Sequence, residues 1–267
     1  MFDFNAWLWA LAALLVFAAA AWLVSLIKRD VSIVDSLWSL MFLIAAVIYI
    51  TLCSDIGTRL SLVLVLLLIW SLRLSIYITW RNWGEPEDPR YQAIRGNNEP
   101  YFDLKSLYII FGLQAVLAWL IATPLAVTIS GSNVMGPWDV AGAGLWLIGM
   151  VFQGFGDWQL ASFKSDPSNR GRVMDRGLWR YTRHPNYFGE ACVWWGFYLI
   201  AVGAGGWWTI FAPMLITFLL LKVSGVTLLE KNIEERRSAY RQYRERTNAF
   251  IPGPPKPPAK TRSEATH

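Results

Sequence analysis

The sequence predicts an all-α protein that crosses a lipid bilayer several times. Hydrophobic residues make up 55% of its 267 residues, charged residues make up only 16%, and 16 residues are tryptophan. Several apolar runs are long enough to cross a hydrocarbon layer ~30 Å thick, which takes about 20 helical residues. We therefore predict a polytopic bundle of about seven transmembrane helices.

The predicted spans follow the apolar runs in chain order. The first run is too long for the apolar core of a signal peptide, and its basic residues follow it rather than precede it, so we expect it to remain as a helix. Gln153 and Asp157 interrupt the fifth run, and the turn "GAGG" shortens the sixth. The seven predicted spans cover residues 5–27, 32–53, 60–80, 107–130, 138–160, 187–202 and 207–228.

Charges in the loops predict the orientation, because Lys and Arg near the ends of spans stay in the cytoplasm. The odd-numbered connections and the segment after the last span are rich in Lys and Arg, whereas the even-numbered connections carry only Arg59. We therefore expect the N-terminus outside and the C-terminus in the cytoplasm. This topology accounts for most of the net charge of +5, so nucleic acid is not an expected partner.

A single membrane domain is predicted over residues 1–252, followed by an extended cytoplasmic tail over residues 253–267. The tail is rich in proline and charge and poor in large apolar residues, which is typical of extended chain. Cys53 and Cys192 lie near or within spans without metal-type spacing. Neither a disulfide framework nor a metal site is therefore predicted.

Polar residues at membrane depth are the candidates for function, because they are costly there and usually face an interior cavity. Asp35 lies about one turn into the second span and is either a helix-start carboxylate favoured by the helix dipole or a cavity residue. In the third span Arg73, Tyr77 and Arg81 share a helix face with Trp70. Arg73 lies too deep to reach the interface easily. We therefore expect a carboxylate such as Asp35 or a ligand phosphate beside it.

The fifth and sixth spans carry further polar residues on shared helix faces. Gln153 and Asp157 are one turn apart, and Lys164 follows on the same face. Asn186 and Glu190 are also one turn apart, just after the proline that starts the sixth helix. These two faces add carboxylates, amides and a cation at membrane depth.

Together these faces predict one cavity whose cytoplasmic mouth is basic. The mouth carries Arg172, Arg176, Arg180 and Arg183 beside His184, and Arg81 at the cytoplasmic end of the third span is a further candidate contact. Guanidinium groups clamp phosphates with paired hydrogen bonds, and carboxylates accept bonds from hydroxyl and amide groups. The cavity therefore suits a large phosphorylated anion such as a nucleotide. The predicted lining residues are Asp35, Arg73, Tyr77, Asp157, Asn186 and Glu190.

Four stretches resemble the membrane steroid 5-alpha-reductase family, in particular its bacterial branch. They are "KRDVSIVDSLWSL", "WSLRLSIYITWRNWGEPEDPRYQ", "RGLWRYTRHPNYFGE" and "EKNIEERRSAYRQYRERTNAFIPGPP". The likeness covers nearly the whole chain up to Pro255, and its most specific part is residues 177–190. The shorter "RHPNYFGE" is also similar to a stretch of the isoprenylcysteine methyltransferases and of the sterol C14 and delta-7 reductases.

The resemblance implies a seven-helix enzyme in which NADPH enters from the cytoplasm and a steroid or other enone lipid enters from the bilayer. It implies a monomer in a bacterial inner membrane, with the cofactor site facing the cytoplasm. The positions that match the family's cofactor contacts are Arg73, Tyr77, Asp157, Lys164, Arg172, Asn186, Glu190, Asn232 and Arg236.

The chain departs from the family at the catalytic pair, which is a glutamate on the second helix and a tyrosine on the third. Asp35 stands at the glutamate position and Trp70 at the tyrosine position. An indole supplies no acidic proton, so we expect either Tyr77 or protonated Asp35 to polarise the substrate carbonyl. The alternatives are an S-adenosylmethionine-dependent methyltransferase of the isoprenylcysteine type and a lipid-binding membrane protein without catalysis.

Overall fold

The computed structural model describes residues 2–52, 57–131, 134–223 and 238–257, and it contains no β-strand among them. The all-α prediction is thus confirmed for the described part of the chain. The chain forms two units: the first contains Met1–Ala143 and Phe197–Ala212, and the second contains Gly144–Gly196 and Pro213–His267.

The α-helices are numbered in chain order. They are α1 (Phe4–Lys28), α2 (Ile33–Thr51), α3 (Thr58–Asn82), α4 (Pro89–Asn97), α5 (Phe102–Ser106), α6 (Leu113–Ile121), α7 (Thr123–Ser130), α8 (Pro137–Ser165), α9 (Pro185–Gly203), α10 (Phe211–Phe218) and α11 (Ser238–Arg246). A π-helical stretch, Leu107–Gly112, joins α5 to α6.

Within the described residues, five helical runs are long and apolar enough to cross a membrane: α1, α2, α3, Phe102–Ile121 and α8. They are the helices of a multi-pass membrane protein, as the hydropathy of the sequence predicted. The predicted sixth span falls on α9, and the predicted seventh begins in the shorter apolar helix Trp207–Val223. The total of seven spans therefore stays a prediction.

The predicted fourth span, residues 107–130, differs from the structure in its second half. The helix ends at Ile121 and a new helix starts at Thr123, with Pro124 in its first turn. Proline has no N–H to donate to the preceding turn and its ring clashes with the carbonyl four residues back. The break therefore follows from Pro124, and every residue of Thr123–Ile129 is buried.

Serine side chains join α2 to α3 inside the first unit. The Ser39 hydroxyl donates to the Ser71 carbonyl at 2.8 Å, and the Ser71 hydroxyl donates back to the Ser39 carbonyl at 2.7 Å. One turn nearer the start of α2, the Ser75 hydroxyl donates to the Ser36 carbonyl at 2.8 Å. Small residues allow two helix backbones to approach closely in a membrane. These bonds hold Asp35, at the start of α2, beside the C-terminal half of α3.

Glycines give α8 and α9 their closest approach inside the second unit. A Cβ added at Gly149 would lie 2.5 Å from the Gly189 carbonyl oxygen and 2.8 Å from the Val193 side chain. A Cβ added at Gly189 would meet the Gly149 carbonyl oxygen at 2.5 Å. No larger residue fits either position without moving backbone.

We predict that Gly149→Ala lowers the thermal stability of the protein in detergent. The added methyl group meets backbone that cannot move aside, and overpacking of this kind costs roughly 1–3 kcal/mol. Gly154→Ala on the same helix is the matched control, because a Cβ there would meet no atom within 4 Å. We expect its melting temperature to stay level or to rise, since Ala favours a helix over Gly by about 1 kcal/mol. Equal melting temperatures of the two variants would contradict the predicted contact.

Candidate functional site

Asp35, in the first turn of α2, is held by two donors from α4. The Tyr91 hydroxyl donates to its Oδ1 at 2.6 Å, and the Arg90 guanidinium donates to its Oδ2 at 2.8 Å. Tyr91 is 7% exposed. The side chain of Asp35 is 19% exposed and that of Arg90 is 27% exposed. Asp35 thus acts in this structure as an acceptor of two hydrogen bonds, and its ion-pair partner is Arg90.

The start of α4 has the residues that place Arg90 and Tyr91. Asp88 is the N-cap and accepts from the backbone N–H of Arg90 at 2.9 Å. Pro89 is the first helical residue. Aspartate is favoured at the N-cap and proline at the first helical position. Asp88 also accepts from the Arg90 guanidinium at 3.0 Å. Burial raises the pKa of Tyr91, and the neighbouring Asp35 carboxylate raises it further.

A second acidic residue ties the same loop to the start of α2. Glu87 accepts from the backbone N–H of Val31 at 2.9 Å. Both Glu87 oxygens also accept from Arg95, at 3.1 and 2.9 Å. Burial alone would raise the pKa of Glu87, but the bonds from Arg95 and Val31 outweigh it and the pKa lies below its ordinary value. The segment from Val31 to Asp35 is therefore held at both ends by hydrogen bonds that involve a charged group, at Val31 by Glu87 and at Asp35 by Arg90.

The predicted face of α3 divides between core and polar contacts. Trp70 is fully buried and packs edge-on against Phe42, with ring centroids 5.5 Å apart. The Arg73 guanidinium lies over the Tyr77 ring, 5.4 Å from its centroid. Arg81 is exposed, and its Nε donates to the Asn82 side chain at 3.0 Å. Trp70 is thus a core residue, whereas Arg73 and Tyr77 form a cation–π pair.

In the second unit a row of polar side chains, three of them buried and Asn186 half-buried, joins α8 to α9. The Gln153 amide donates to one Glu190 oxygen, and the Trp194 indole donates to the other at 3.0 Å. The Asn186 amide donates to Asp157 at 3.2 Å. Gln153 is 1% exposed, Asp157 5% and Glu190 8%. We call Gln153, Asp157, Asn186 and Glu190 the polar row.

The segment before α9 is fixed between α8 and α11. The Trp179 indole donates to the Gly156 carbonyl at 3.0 Å. The Arg183 guanidinium donates to the carbonyls of Arg244, at 2.9 Å, and Thr247, at 2.6 Å, where α11 ends. Cations at a helix C-terminus satisfy its last carbonyls. Arg183, predicted to line the basic mouth, thus holds the end of a helix.

The other predicted site residues lie as follows. His184 is 5% exposed and stacks on Tyr187, with ring centroids 5.5 Å apart. Lys164 and Arg172 are exposed on either side of the 3₁₀ turn Pro167–Asn169. The cavity predicted from the sequence combined residues of both units. Asp35, Arg73 and Tyr77 lie in the first unit, and Asp157, Asn186 and Glu190 lie in the second. Cys53, Asn232 and Arg236 lie outside the described residues.

Comparison with known proteins places the chain in a family. A family model described as "Protein of unknown function (DUF1295)" matches residues 21–247, which is most of the chain. The chain belongs to DUF1295. It is similar to an uncharacterised protein of Schizosaccharomyces pombe, with 28% identity over 86% of this chain and 75% of the relative. No solved structure matches it significantly.

Sequence reasoning about this DUF1295 protein missed three residues that complete these clusters: Arg90, Tyr91 and Trp194. The "EDPRY" stretch did carry a local signal, because an aspartate before a proline favours a helix start. Nothing in a single sequence pairs that start with Asp35, 55 residues earlier. Trp194 lies one turn after Glu190 on α9, so the spacing i, i+4 could have predicted its contact.

We predict that Glu87→Gln lowers the melting temperature of the protein at neutral pH. We also predict that the melting temperature of this variant falls less than that of the wild type as the pH is lowered. A carboxylate whose pKa is lowered by folding stabilises the fold above its ordinary pKa of 4.5, and that contribution is lost as pH falls below this value. At neutral pH we expect a melting temperature lower by about 2 °C or more. Melting temperatures of detergent-solubilised protein from neutral pH to about pH 3 measure both effects.

Glu85→Gln is the matched control, because Glu85 lies two residues earlier in the same loop and is exposed. The melting temperature of Glu85→Gln should equal that of the wild type at every pH. If the melting temperatures of both variants equal that of the wild type, Glu87 does not hold the loop.

Proposed function

We propose that this DUF1295 protein is a membrane-embedded, NADPH-dependent reductase of the C=C bond of an enone lipid. A 4-ene-3-ketosteroid, giving the 5-alpha-reduced product, is the model substrate. The observation that carries the proposal is the polar row, which is buried between α8 and α9 next to an arginine-rich segment. The relation of the DUF1295 family to steroid 5-alpha-reductase-like proteins supports it.

The residues of the second unit fit a phosphorylated nucleotide. Glu190 accepts hydrogen bonds from Gln153 and Trp194. Its carboxylate is of the kind that accepts bonds from the hydroxyl and amide groups of a ribose or a carboxamide. The exposed cations Lys164 and Arg172 suit phosphates. S-adenosylmethionine has no phosphate, so a methyltransferase would leave these cations without that role.

NADPH, when bound, supplies the hydride for the β-carbon of the enone. The residues of the chain then have to donate a hydrogen bond to the carbonyl oxygen, on which negative charge develops, and the enolate takes a proton from water at its α-carbon. Tyr91 and Arg90 are two donors that converge on Asp35. A carbonyl oxygen is also an acceptor, so it could take one of these bonds in place of a carboxylate oxygen. We assign the donor role to Tyr91 with Asp35 as its partner, and Tyr77 is the alternative donor.

The proposed reductase sits in a bacterial inner membrane as a monomer. It spans the membrane seven times, with α9 and the helix starting at Trp207 as the sixth and seventh spans. The Lys- and Arg-rich segments face the cytoplasm, as the positive-inside rule predicts. NADPH is a cytoplasmic cofactor, so this orientation agrees with the proposed use of Lys164 and Arg172.

We predict that Asn186→Ala and Glu190→Ala each weaken NADPH binding by at least about tenfold. Each substitution leaves a buried partner without its bond, which costs ~1–3 kcal/mol. Binding is measured by nicotinamide fluorescence and by the NADPH-dependent thermal shift of purified protein. Cys192→Ala is the matched control, because it truncates another buried side chain of α9 and removes no carboxylate or amide.

Unchanged affinity in both variants would exclude the polar row as the NADPH site. A thermal shift with S-adenosylmethionine but none with NADPH would favour the methyltransferase instead.

We predict that Tyr91→Phe and Asp35→Asn keep NADPH affinity but lower the turnover of a 4-ene-3-ketosteroid by roughly 10²-fold. This is the scale of losing one proton-transfer or oxyanion contact. Turnover is measured as NADPH oxidation in detergent, with the steroid product identified by mass spectrometry. Tyr77→Phe distinguishes the two tyrosines. A loss confined to Tyr77→Phe would return the donor role to Tyr77 and leave Asp35 as a helix-start carboxylate.

A further inference from the structure

The positive charge of the protein is concentrated in two segments of the second unit. Residues 164–184 and 238–257 together contain ten Lys and Arg but only three Asp and Glu. Their excess of positive charge is larger than the net charge of +5 of the whole chain, so the remaining residues are net negative. The orientation rule predicts basic residues in every cytoplasmic connection. It does not by itself account for so strong a concentration in two of them.

Hydrogen bonds join these two segments into one surface. The Arg183 backbone N–H donates to the Asn248 carbonyl at 2.9 Å, and the Gly253 N–H donates to the Tyr181 carbonyl at 3.0 Å. The Tyr243 hydroxyl donates to the Trp179 carbonyl. The Lys256 N–H donates to the Arg246 carbonyl at 2.8 Å, which folds the proline-rich segment back on α11. The two basic segments are therefore held together by hydrogen bonds and form one surface.

The outer side of α11 carries the side chains of Arg241 and Arg246 together with that of Glu245, and Lys256 follows in the proline-rich segment. Tyr240 and Tyr243 are 5% and 8% exposed and face the second unit. Arg241, Arg246 and Lys256 are exposed. We call these three residues the α11 basic face. None of them belongs to the residues proposed to hold NADPH.

This surface lies next to the membrane. The basic segment 164–184 begins in the last turn of the candidate span α8, which ends at Ser165, and finishes where the apolar helix α9 begins, at Pro185. Its first end is thus fixed at a candidate membrane span, and its second end at the helix that the proposed function takes as the sixth span. The α11 basic face is bound to this segment, so it is close to the lipid headgroups. Charges attract headgroups within about a Debye length, roughly 8–10 Å.

We propose that the α11 basic face binds the headgroups of anionic phospholipids in the adjacent leaflet. The fork of an arginine matches the oxygens of a phosphodiester, and the attraction grows with each cation near the surface. Exposed phosphate-binding cations beside a bilayer meet lipid phosphate at high local concentration. This binding anchors α11 and the proline-rich segment to the membrane surface.

The test uses the full-length protein in nanodiscs of phosphatidylcholine, with or without phosphatidylglycerol. The lipids retained on release from the discs are counted by native mass spectrometry. We expect wild type to retain phosphatidylglycerol in preference to phosphatidylcholine. The variant Arg241→Gln/Arg246→Gln should lose this preference by roughly threefold or more. Arg241→Lys/Arg246→Lys should keep most of it, which excludes a folding defect as the cause.

The matched control is Lys28→Gln/Arg29→Gln, which removes the same charge from exposed positions at the end of α1. It should lose less of the preference than Arg241→Gln/Arg246→Gln, because it removes two cations that lie outside the basic cluster. An equal loss in this control would overturn the proposal, because any pair of exposed cations would then suffice. A wild-type preference in Arg241→Gln/Arg246→Gln would overturn it as well.

Inorganic pyrophosphate in detergent tests for a soluble polyanion in place of a lipid. A thermal shift with pyrophosphate that Arg241→Gln/Arg246→Gln abolishes, without any preference for phosphatidylglycerol in nanodiscs, would reject the lipid assignment. Preference for phosphatidylglycerol in nanodiscs, lost in this variant, with no pyrophosphate shift would support it.

Discussion

A buried charge needs a partner, and in the first unit this requirement joins the start of α3 to the start of α8. Arg59 and Asp139 are 2% and 0% exposed and share two hydrogen bonds, at 2.6 and 2.8 Å. Breaking a buried pair of this kind by removing one partner costs about 3–5 kcal/mol. Arg59 lies in the first turn of α3 and Asp139 in the first turn of α8. The pair therefore sets the level of one helix against the other.

The same requirement shapes the second unit through a different set of groups. Gly149, Gln153 and Asp157 follow one another at intervals of four along α8 and meet α9 at Gly189, Glu190 and Asn186. The glycine contact brings the two backbones close, which puts the amide and carboxylate side chains within hydrogen-bonding distance. The close packing and the polar row are thus parts of one contact between α8 and α9.

Hydropathy predicted α1, α2 and α3 within a few residues, because the length of an apolar run is a local property of the chain. It missed the break at Ala122 despite Pro124, and it could not pair Arg59 with Asp139. The spacing of polar residues predicted which of them share a face of α8 or α9. It did not predict that Arg90 and Tyr91 would meet Asp35, because such pairs depend on how loops pack in three dimensions.

The stretch "RYTRHPNYFGE" shows why sequence resemblance alone assigns too many residues to a binding site. Arg183 holds the end of α11, and Asn186 and Glu190 join α9 to α8. Much of the motif therefore has a structural role in this chain. The proposed choice of cofactor and substrate then depends also on residues outside the motif, such as the exposed cations after α8 and the group around Asp35.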